Sequence, residues 1–397
     1  MPDESPLSLA TDAWRAWCRA LEETGVTALE NALTTDEIDL AEGLRYLGRV
    51  SHMTIFGATD NVDSKHPYFW PFLGPHVKLG GDNPQGLYLA APLNSTDTFV
   101  IRGTRGSARW FSAIIMRSPG ARAAGQLPIG EALYLPDLEV RPDGTFEIVV
   151  SPDPQPGNWI ESDEWTNQLL VRQFFGTPDD VAPMGLTIEN VTVGDTRPDP
   201  IGLAWAVQAV NQAAARFRGT VPHLQSELIA KASTKNSFAT DIGDPTSAGG
   251  VPGGNAVTAR WRLEPDEALL IRVTPPVPCA YWDVQVGNGW YETFDYRYHV
   301  SGLTCEGAHL ADDGSVTLVL SDRDPGTVNW LEAVHHREGH IAIRWQLTDG
   351  QLPIPETTVV DVAAVQELTG LPAAGAEDRA RQRAQLRASF DARFRRW

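Results

Sequence analysis

The chain of 397 residues is long enough for two or three domains, and its 42% hydrophobic and 21% charged residues are ordinary for a globular protein. A net charge of −19 argues against nucleic acid and anionic membrane surfaces as partners, because phosphate groups are bound by clustered lysine and arginine. Three widely spaced cysteines, an acidic amino-terminal stretch without a secretory signal and no apolar run near the ~20 residues that span a bilayer lead us to expect a cytoplasmic protein.

Helices are predicted for the amino-terminal region, residues 1–75, and strands for a first β unit, residues 76–197. Apolar residues recur at helical spacing over residues 8–50, and Thr34 with Glu37 forms a capping-box pattern. The rest of the amino-terminal region is a loop rich in proline and aromatic residues. The predicted strands of the first β unit are Leu87–Ala91, Thr98–Arg102, Arg109–Met116, Thr145–Ser151, Gln168–Phe175 and Leu186–Val193.

A helical connector is predicted for residues 198–256. Asp199-Pro200 has the pattern of a helix start, and a second helix is predicted over Leu224–Lys231. The stretch 233–255 is rich in Gly, Ser, Thr and Pro and is predicted to be a linker or a mobile lid. It lacks the Gly-Lys-Ser/Thr of a phosphate-binding loop, so a nucleotide site is not expected there.

The second β unit is predicted for residues 257–350 and a tail with a helix, Glu377 to Trp397, for residues 351–397. We expect the arginine-rich helix to clamp the acidic body of its own chain or of a second subunit, which leaves a homo-oligomer through the terminal helices open. The order of elements predicts an α+β protein that is mainly β, with two related, sandwich-like antiparallel units. The predicted strands are Val257–Leu263, Ala268–Val273, Ala280–Val286, Trp290–Val300, Val316–Ser321 and His340–Leu347.

The two β units are predicted to be copies of one module, because several motifs occur in both at similar offsets. A single duplication of this kind does not fit a solenoid or propeller, which needs more repeats. The matching pairs are Asp143-Gly144 with Asp313-Gly314, Asn158-Trp159 with Asn329-Trp330, and Arg172 with Arg344.

The segment around Arg344 is predicted to carry the chemistry. A histidine titrates near pH 7, so His336 is our candidate general acid or base. Arg344, on the strand face opposite Ile343 and Trp345, is our candidate anchor for a carboxylate or phosphate. The alternatives for Arg344 are a solvated strand face or an arginine that fixes the Asn-Trp turn of each copy.

A metal site is the weaker interpretation of the same segment. His336 and His340 would face each other across a hairpin turn at residues 337–339, but the required number of ligands is not visible. We therefore predict no metal and no cofactor.

The aromatic and acidic segment 280–299 is predicted to line a small-molecule pocket, since aromatic walls with a few polar groups are typical of such sites. The alternative is that most of its aromatic residues belong to the core of the sheets. Asp283, Glu292 and Asp295 are the acidic residues from which an acid–base pair would come, and we take Glu292 and Asp295 as candidates. The candidate substrate-binding residues are Trp282, Trp290, Tyr291, Asn329, Trp330 and Asp82.

A set of motifs spread over roughly residues 35–350 is similar to a known family. The upstream motifs are Gly80 to Pro92 and Arg102-Gly103-Thr104-Arg105-Gly106. The downstream motifs are Tyr281-Trp282, Val286-Gly287-Asn288, Trp290, Glu292, Asp313-Gly314-Ser315, Asp324-Pro325-Gly326, Asn329-Trp330-Leu331, His336, Gly339 and Arg344-Trp345. Together they resemble the bacterial family called domain of unknown function 1214. The resemblance implies a two-part β-rich fold with helical additions and implies no particular reaction.

We expect a cytoplasmic enzyme that acts on a hydrophobic or polyoxygenated small molecule by acid–base chemistry with His336 and Arg344 and without a redox cofactor. Hydrolase, lyase and isomerase remain open. The alternative is a non-catalytic β protein that binds carbohydrate or lipid-like ligands. A third interpretation is an assembly protein whose terminal helices make subunit contacts.

Overall fold

The computed structural model of the chain describes residues 5–124, 126–231, 235–238, 254–346 and 352–395. These residues form six helices and seventeen strands in four sheets, which confirms the predicted α+β, mainly β fold. Within these ranges no helix is both long and apolar enough to cross a membrane. The helices are α1 Pro6–Glu30, α2 Glu37–Thr59, α3 Pro119–Ala123, α4 Leu203–Lys231, α5 Val365–Thr369 and α6 Ala376–Phe394.

The first β unit is a sandwich of two sheets. Sheet I has the strand order β1-β2-β8-β4-β5, and sheet II has the order β7-β6-β3-β9. Alternate residues of each strand point inward, as the period of two requires, and Phe146, Ile148 and Val150 of β6 lie in the core between the sheets. The strands are β1 Trp70–Leu73, β2 Gly86–Pro92, β3 Phe99–Thr104, β4 Trp110–Arg117, β5 Ile129–Tyr134, β6 Thr145–Ser151, β7 Trp159–Glu161, β8 Thr166–Phe174 and β9 Gly185–Asn190.

The second β unit repeats this arrangement. Sheet III has the order β10-β16-β12-β13, and sheet IV has the order β15-β14-β11-β17. Its core contains Val316, Leu318 and Leu320 of β14 and Ile341, Ile343 and Trp345 of β16. The strands are β10 Gly254–Arg262, β11 Glu267–Val273, β12 Tyr281–Gly287, β13 Gly302–Thr304, β14 Val316–Ser321, β15 Trp330–Glu332, β16 Glu338–Gln346 and β17 Glu356–Asp361.

The two sandwiches have the same topology, strand for strand, from β2 with β10 to β9 with β17. Even single side chains repeat: Asn329 Nδ2 donates to the backbone oxygens of His309 at 2.7 Å and Thr317 at 3.0 Å. Asn158 makes the same two kinds of bond in the first unit, and in both units the next strand pairs in parallel. The prediction that one module was duplicated therefore agrees with the structure.

The helices α1, α2 and α4 form a bundle that holds the second β unit through Trp290. The Trp290 ring stacks on Tyr46 with centroids 5.5 Å apart, and its Nε1 donates to the backbone oxygen of Asp39 at 2.7 Å. A Cβ atom at Gly43 would lie only 2.4 Å from the Trp290 ring, so α2 needs a glycine there. The contact fixes the face of α2 that meets the β unit.

The carboxy-terminal helix α6 packs on its own chain. Arg379 donates to both carboxylate oxygens of Asp324, at 2.9 and 2.8 Å, and Leu386 lies in the core of the second sandwich. Arg393 is buried and donates to the backbone oxygens of Pro84 at 2.6 Å and Gly86 at 3.0 Å. The helix thus supports the loop that precedes β2.

Three helix predictions are corrected by the structure. The amino-terminal helices extend beyond residues 8–50, with α2 ending at Thr59. The connector helix begins at Leu203 and not at Asp199-Pro200. It then continues through Pro222 to Lys231, so the separate helix predicted over Leu224–Lys231 is part of α4, whose packing against α1 and α2 outweighs one missing hydrogen bond. Residues 233–234 and 239–253 of the predicted linker lie outside the described residues.

Two strand predictions are also corrected. Trp290–Val300 is not a strand, because Tyr291 has a left-handed φ of 62° and the chain turns there to insert Trp290 into the helices. The hairpin predicted at residues 337–339 does not exist, because Glu338 is the first residue of β16 and the chain reverses earlier, at His335 with φ 62°.

Candidate functional site

The outer faces of sheets I and III meet between the two β units and bury polar side chains. On β12, Asp283 alternates with the core residues and pairs in register with Arg344 of β16. On β2, Tyr88 pairs in register with Arg172 of β8. The two faces are in contact, since Tyr281 Oη donates to the backbone oxygen of Phe175 at 3.4 Å.

The loop that precedes β2 closes one side of this interface. Gly80 and Gly81 both have left-handed φ values, 64° and 66°, which favour glycine. The Gly81 carbonyl accepts from Arg344 Nη2 at 2.6 Å and from Gln285 Nε2 at 2.5 Å. A Cβ at Gly81 would lie 2.8 Å from Gln285 Nε2, so a side chain there would displace the group that holds the loop.

A chain of contacts connects the two sheets across the interface. Arg344 Nη1 lies 3.5 Å from Asp283 Oδ1, and Asn83 Nδ2 donates to Asp283 Oδ2 at 3.1 Å. The backbone N–H of Asn83 donates to Tyr88 Oη at 3.1 Å. Because Tyr88 and Arg172 are cross-strand neighbours, the two arginines lie at the ends of one polar network.

Burial dominates the electrostatics of this network, which we call the inter-unit site: Asn83, Tyr88, Arg172, Asp283 and Arg344. Burial raises the pKa of the Asp283 carboxyl from 3.8 to about 6, although the charge of Arg344 and the hydrogen bond from Asn83 lower this pKa. Burial and the positive charge of Arg344 both lower the pKa of Arg172. The inter-unit site therefore contains two arginines and one carboxyl group that ionises less readily than usual, in a protein of strongly negative net charge.

Several buried polar atoms on the two facing sheets have no hydrogen-bond partner among the residues that the structure describes. Ser112 Oγ belongs to a fully buried residue that pairs in register with Arg172. Gln346 Oε1 belongs to a 3% exposed residue that pairs with Tyr281. Native structures rarely leave such atoms unsatisfied, while 20% of the Arg344 side chain remains solvent-accessible. The interface therefore contains buried hydrogen-bonding groups that the described residues do not satisfy.

A second polar cluster lies between α2 and the second β unit. Residues three or four apart on α2 share one face, which presents Glu42 to His336 at 3.3 Å and Arg49 to Glu292 at 2.9 Å. Burial raises the pKa of the Glu292 carboxyl from 4.5 to about 7, although Arg49 and Lys78 lower it. Burial lowers the pKa of His336, but the hydrogen bond and charge of Glu42 outweigh it and the pKa is raised.

The structure does not bring His336 and Arg344 together. The strand β16 is extended, so at about 3.3 Å per residue Glu338 and Arg344 are about 20 Å apart, and His336 precedes Glu338. His336 is 1% exposed and Nδ1 lies 2.7 Å from the Val334 oxygen, under α2. His336 is therefore part of the helix-docking cluster, whereas Arg344 is part of the inter-unit site.

Two other predicted residues do lie beside Arg344. Asp82 and Tyr291 both act electrostatically on the Arg344 guanidinium. The Asp82 carboxylate accepts from the Thr293 hydroxyl at 2.8 Å, and the Tyr291 carbonyl accepts from Gly81 N–H at 2.8 Å. They join the second β unit to the loop before β2.

The remaining predicted residues lie elsewhere. Trp282 points into the core of the second sandwich, on the face opposite Asp283, and Trp290 lies in the helical bundle. Asn329 lies in the turn just before β15, and Trp330 is the first residue of β15, with its Nε1 donating to the Ser321 carbonyl at 3.2 Å. Asp295 is exposed and caps a turn by accepting from the Arg297 N–H at 3.2 Å.

The same geometry corrects one alternative for Arg344. Arg344 does not fix the Asn-Trp turn, since its hydrogen bonds go to Gly81 and Gln285. Over the described ranges, no group of three or more His, Cys, Asp or Glu side chains is arranged to hold a metal ion. His340 is fully buried, with Nδ1 3.0 Å from the Asn288 carbonyl oxygen.

Gln285, Tyr88 and Ser112 were not among the residues selected from the sequence. In the stretch Gly80 to Pro84, Asp82 was selected as a candidate but Asn83 was not. A signal for Gln285 was present, since the alternation along β12 places Asp283 and Gln285 on the side away from the core.

A groove of about 340 Å³ between α1 and α4 is a separate feature. It is lined by Glu23, Thr24, Thr27, Ala28, Arg218, Val221, Pro222 and Gln225. None of the residues predicted from the sequence lies on it, and it has no part in the network between the β units.

Comparisons with known proteins found one matching family profile and similar solved structures. The profile of a family described as a protein of unknown function, DUF1214, matches residues 259–349. The solved structure of an uncharacterized protein from Burkholderia cenocepacia is similar to this chain, with a TM-score of 0.84 and 31% sequence identity over 91% of this chain and 100% of that chain. A structure from Vibrio parahaemolyticus has a TM-score of 0.44 and 14% identity over 79% and 98% of the two chains. No curated protein matches this chain. The profile match confirms the resemblance found in the sequence: the chain contains a region of the DUF1214 family, at residues 259–349.

Proposed function

We propose that the protein is an enzyme that acts on a small polyoxygenated molecule bound at the inter-unit site. The observation that carries the proposal is the buried pair of Asp283 and Arg344, 3.5 Å apart, on a face where other buried polar atoms are unsatisfied by the described residues. Burial of so many polar groups in an interface costs desolvation free energy, and such groups occur preferentially at sites of binding or chemistry.

The pair has the properties that acid–base chemistry requires. A carboxyl with a pKa raised to about 6 exchanges protons close to neutral pH, which is the range in which a general acid or base is most effective. Arg344 supplies a permanent positive charge for a carboxylate, a phosphate or a developing oxyanion. In this proposal Asp283 takes the role that the sequence suggested for His336, because His336 lies before the start of β16, at the end far from Arg344.

Binding without turnover is the second candidate function. It is favoured by the fixed position of the Asp283 carboxylate, whose Oδ2 accepts from Asn83 while Oδ1 faces Arg344. A carboxylate held in this way also orients an arginine for ligand binding. The ligand would then be a carbohydrate or another polyoxygenated molecule, recovered chemically intact.

The test begins with recovery of the ligand. The purified protein is incubated with a metabolite extract, separated from unbound compounds and denatured, and the released compounds are identified by mass spectrometry. The proposal predicts compounds that are retained by the wild type and by the matched surface variant Arg272→Gln but lost from Arg344→Gln. Equal retention by Arg344→Gln would rule out the inter-unit site as the place of binding.

The recovered compounds then serve as substrates. The enzyme proposal predicts product formation by the wild type, almost none by Asp283→Asn, and normal rates for the exposed control Asp312→Asn. A compound that returns unchanged from the wild type points to the binding function, and unchanged turnover by Asp283→Asn excludes Asp283 as the acid–base group.

The cytoplasmic location and a homo-oligomer are part of the same proposal. Cys18, Cys279 and Cys305 are unpaired, as expected in a reducing compartment. On α1, Leu7 is 77% and Trp14 59% exposed, which leaves apolar surface for a subunit contact. A Trp14→Glu variant with the same mass as the wild type in light scattering would exclude this contact.

A further inference from the structure

Helix α6 places a buried arginine beside the inter-unit site. Arg393 is 2% exposed, and its Nη1 donates to the backbone oxygens of Pro84 at 2.6 Å and Gly86 at 3.0 Å. Burial lowers the pKa of Arg393 to about 10, so the guanidinium remains charged at neutral pH. A buried charge costs desolvation free energy, and an apolar side chain would dock the helix without this cost. The two hydrogen bonds therefore indicate that Arg393 serves to fix the loop before β2.

The two carbonyls belong to a tight turn at residues 83–86, which Asn83 stabilises. Asn83 Oδ1 accepts from the Gln85 N–H at 2.8 Å, and the Asn83 backbone oxygen accepts from the Gly86 N–H at 2.9 Å. The other side-chain group of Asn83, Nδ2, donates to Asp283 Oδ2 at 3.1 Å. The conformation of the turn thus decides whether the Asn83 amide reaches the Asp283 carboxylate.

Arg393 binds this turn from a helix that is fixed to the second β unit. Leu386 of α6 lies in the core of the second sandwich, and the Arg393 guanidinium lies 5.4 Å from the centroid of the Tyr296 ring. The turn itself packs on β13, because a Cβ atom at Gly302 would lie only 2.6 Å from Pro84 Cγ. Arg393 therefore holds the turn of the first unit at the place where the two units meet.

We infer that Arg393 is a positioning residue of the inter-unit site. Through the turn at residues 83–86 it holds the Asn83 amide against the Asp283 carboxylate. The inference rests on the proposed function, because it assigns a supporting residue to the same site. A hydrogen bond to the ionised form of a carboxyl lowers its pKa, and the bond from Asn83 has this effect on Asp283. Without Arg393 the turn relaxes, this hydrogen bond is lost, and Asp283 exchanges its proton at a higher pH.

The experiment is a pH titration of the Asp283 carboxyl, followed by carbon-13 NMR of protein with labelled aspartate. The Asp283 signal is identified by its absence from Asp283→Asn, and the measurement needs no ligand. The test variants are Arg393→Gln, Arg393→Lys, Asn83→Ala and the double variant with Arg393→Gln and Asn83→Ala. Arg379→Gln is the matched control, since Arg379 is also a buried arginine of α6 but donates to Asp324 and not to the turn.

The inference predicts that Asp283 titrates about one pH unit higher in Arg393→Gln than in the wild type, because a hydrogen bond to a charged group is lost. Arg379→Gln should titrate like the wild type. Asn83→Ala should show the same increase, and the double variant should show no further change, because Arg393 acts through Asn83. Arg393→Lys keeps the charge and one donor group, so a smaller increase is expected. This milder variant carries the test if circular dichroism shows that Arg393→Gln does not fold.

Three results would overturn the inference. The first is an unchanged titration of Asp283 in Arg393→Gln, or in Arg393→Lys where that variant carries the test. The second is an equal increase in Arg379→Gln, which would assign the effect to docking of the whole helix. The third is a further increase in the double variant over Asn83→Ala, which would show that the charge of Arg393 acts on Asp283 directly.

The titration also separates this inference from the proposed function. If Asp283 titrates unchanged in Arg393→Gln but the recovered compounds still require Arg344, the proposed function stands and only the role of Arg393 is wrong. If the titration changes as predicted but Asp283→Asn turns over the recovered compound normally, the proposed acid–base role fails and this inference stands.

Discussion

Replacement of Glu292 by glutamine is expected to change how stability depends on pH. The Glu292 side chain is 1% exposed, Oε2 accepts from Arg49 at 2.9 Å, and burial raises the pKa from 4.5 to about 7. Between these two pH values the folded protein binds more protons than the unfolded chain, so stability falls as pH rises through that window. A pKa difference of this size corresponds to about 3 kcal/mol, which is lost above about pH 7.

The assay is urea denaturation of the wild type and of Glu292→Gln at about pH 5 and about pH 8. Glutamine resembles the protonated carboxyl, so the variant is expected to lack this loss of about 3 kcal/mol and to gain on the wild type at the higher pH. The exposed Glu264→Gln is the matched control and should follow the wild type. Parallel pH profiles for the wild type and Glu292→Gln would refute the argument that burial holds this carboxyl in its protonated form.

Three other predictions follow from the same contacts. The affinity of the protein for an oxyanion, measured by calorimetry, should increase as pH falls through about 6, because protonation of Asp283 removes a competing negative charge from Arg344. The Asp283→Asn variant should lose turnover but bind the oxyanion tightly at every pH. His336→Gln should lower stability more below pH 6.5 than above the raised pKa of His336 in the wild type, because the pair with Glu42 requires a charged imidazole. Equal losses in urea denaturation in these two pH ranges would contradict this. Asn329→Ala and Asn158→Ala should each lower the free energy of unfolding in urea by about 1–3 kcal/mol, with the larger loss at Asn329, because its φ of 58° disfavours alanine. A change within error for both variants would show that the repeated turn does not depend on these hydrogen bonds.

Much of the fold could be predicted from the sequence, because the alternation of apolar and polar residues along a strand indicates which face is buried. Phe146, Ile148 and Val150 in one unit and Val316, Leu318 and Leu320 in the other are core residues, as their spacing indicates. The three-residue strands β7, β13 and β15 were missed, because such short segments carry no periodicity.

The largest error in the fold concerns Trp290–Val300. The aromatic residues of this segment indicated a half-buried strand, but Trp290 is buried by α2 and not by a sheet. Burial by a distant helix leaves the same apolar residues in the sequence as burial in a sheet. The left-handed conformation at Tyr291 has no clear signal either, since the residue is not a glycine.

The candidate site was only partly visible, because its residues are distant in the sequence. Arg344 was recognised as a candidate anchor from its place on a strand face. Its partner Gly81 lies 263 residues away, and only the three-dimensional structure connects the two. His336 was grouped with Arg344 because they are close in sequence, but an extended strand places close residues far apart.

The arrangement of two buried arginines from duplicated strands also required the structure. The correspondence of Arg172 and Arg344 was visible as a repeat, yet a repeat alone does not show that two positions meet. The packing of sheet I against sheet III, with Phe174 and Tyr281 rings 5.9 Å apart, brings the two outer faces into contact.

The claim that a ligand binds between the two β units is tested most directly by hydrogen–deuterium exchange with and without the compound recovered from the metabolite extract. The account predicts slower exchange in residues 80–86 and in β16, where Gly81 and Arg344 hold the inter-unit site together. Slower exchange confined to α1 and α4 around the groove at Thr27 and Gln225, with residues 80–86 unchanged, would contradict it.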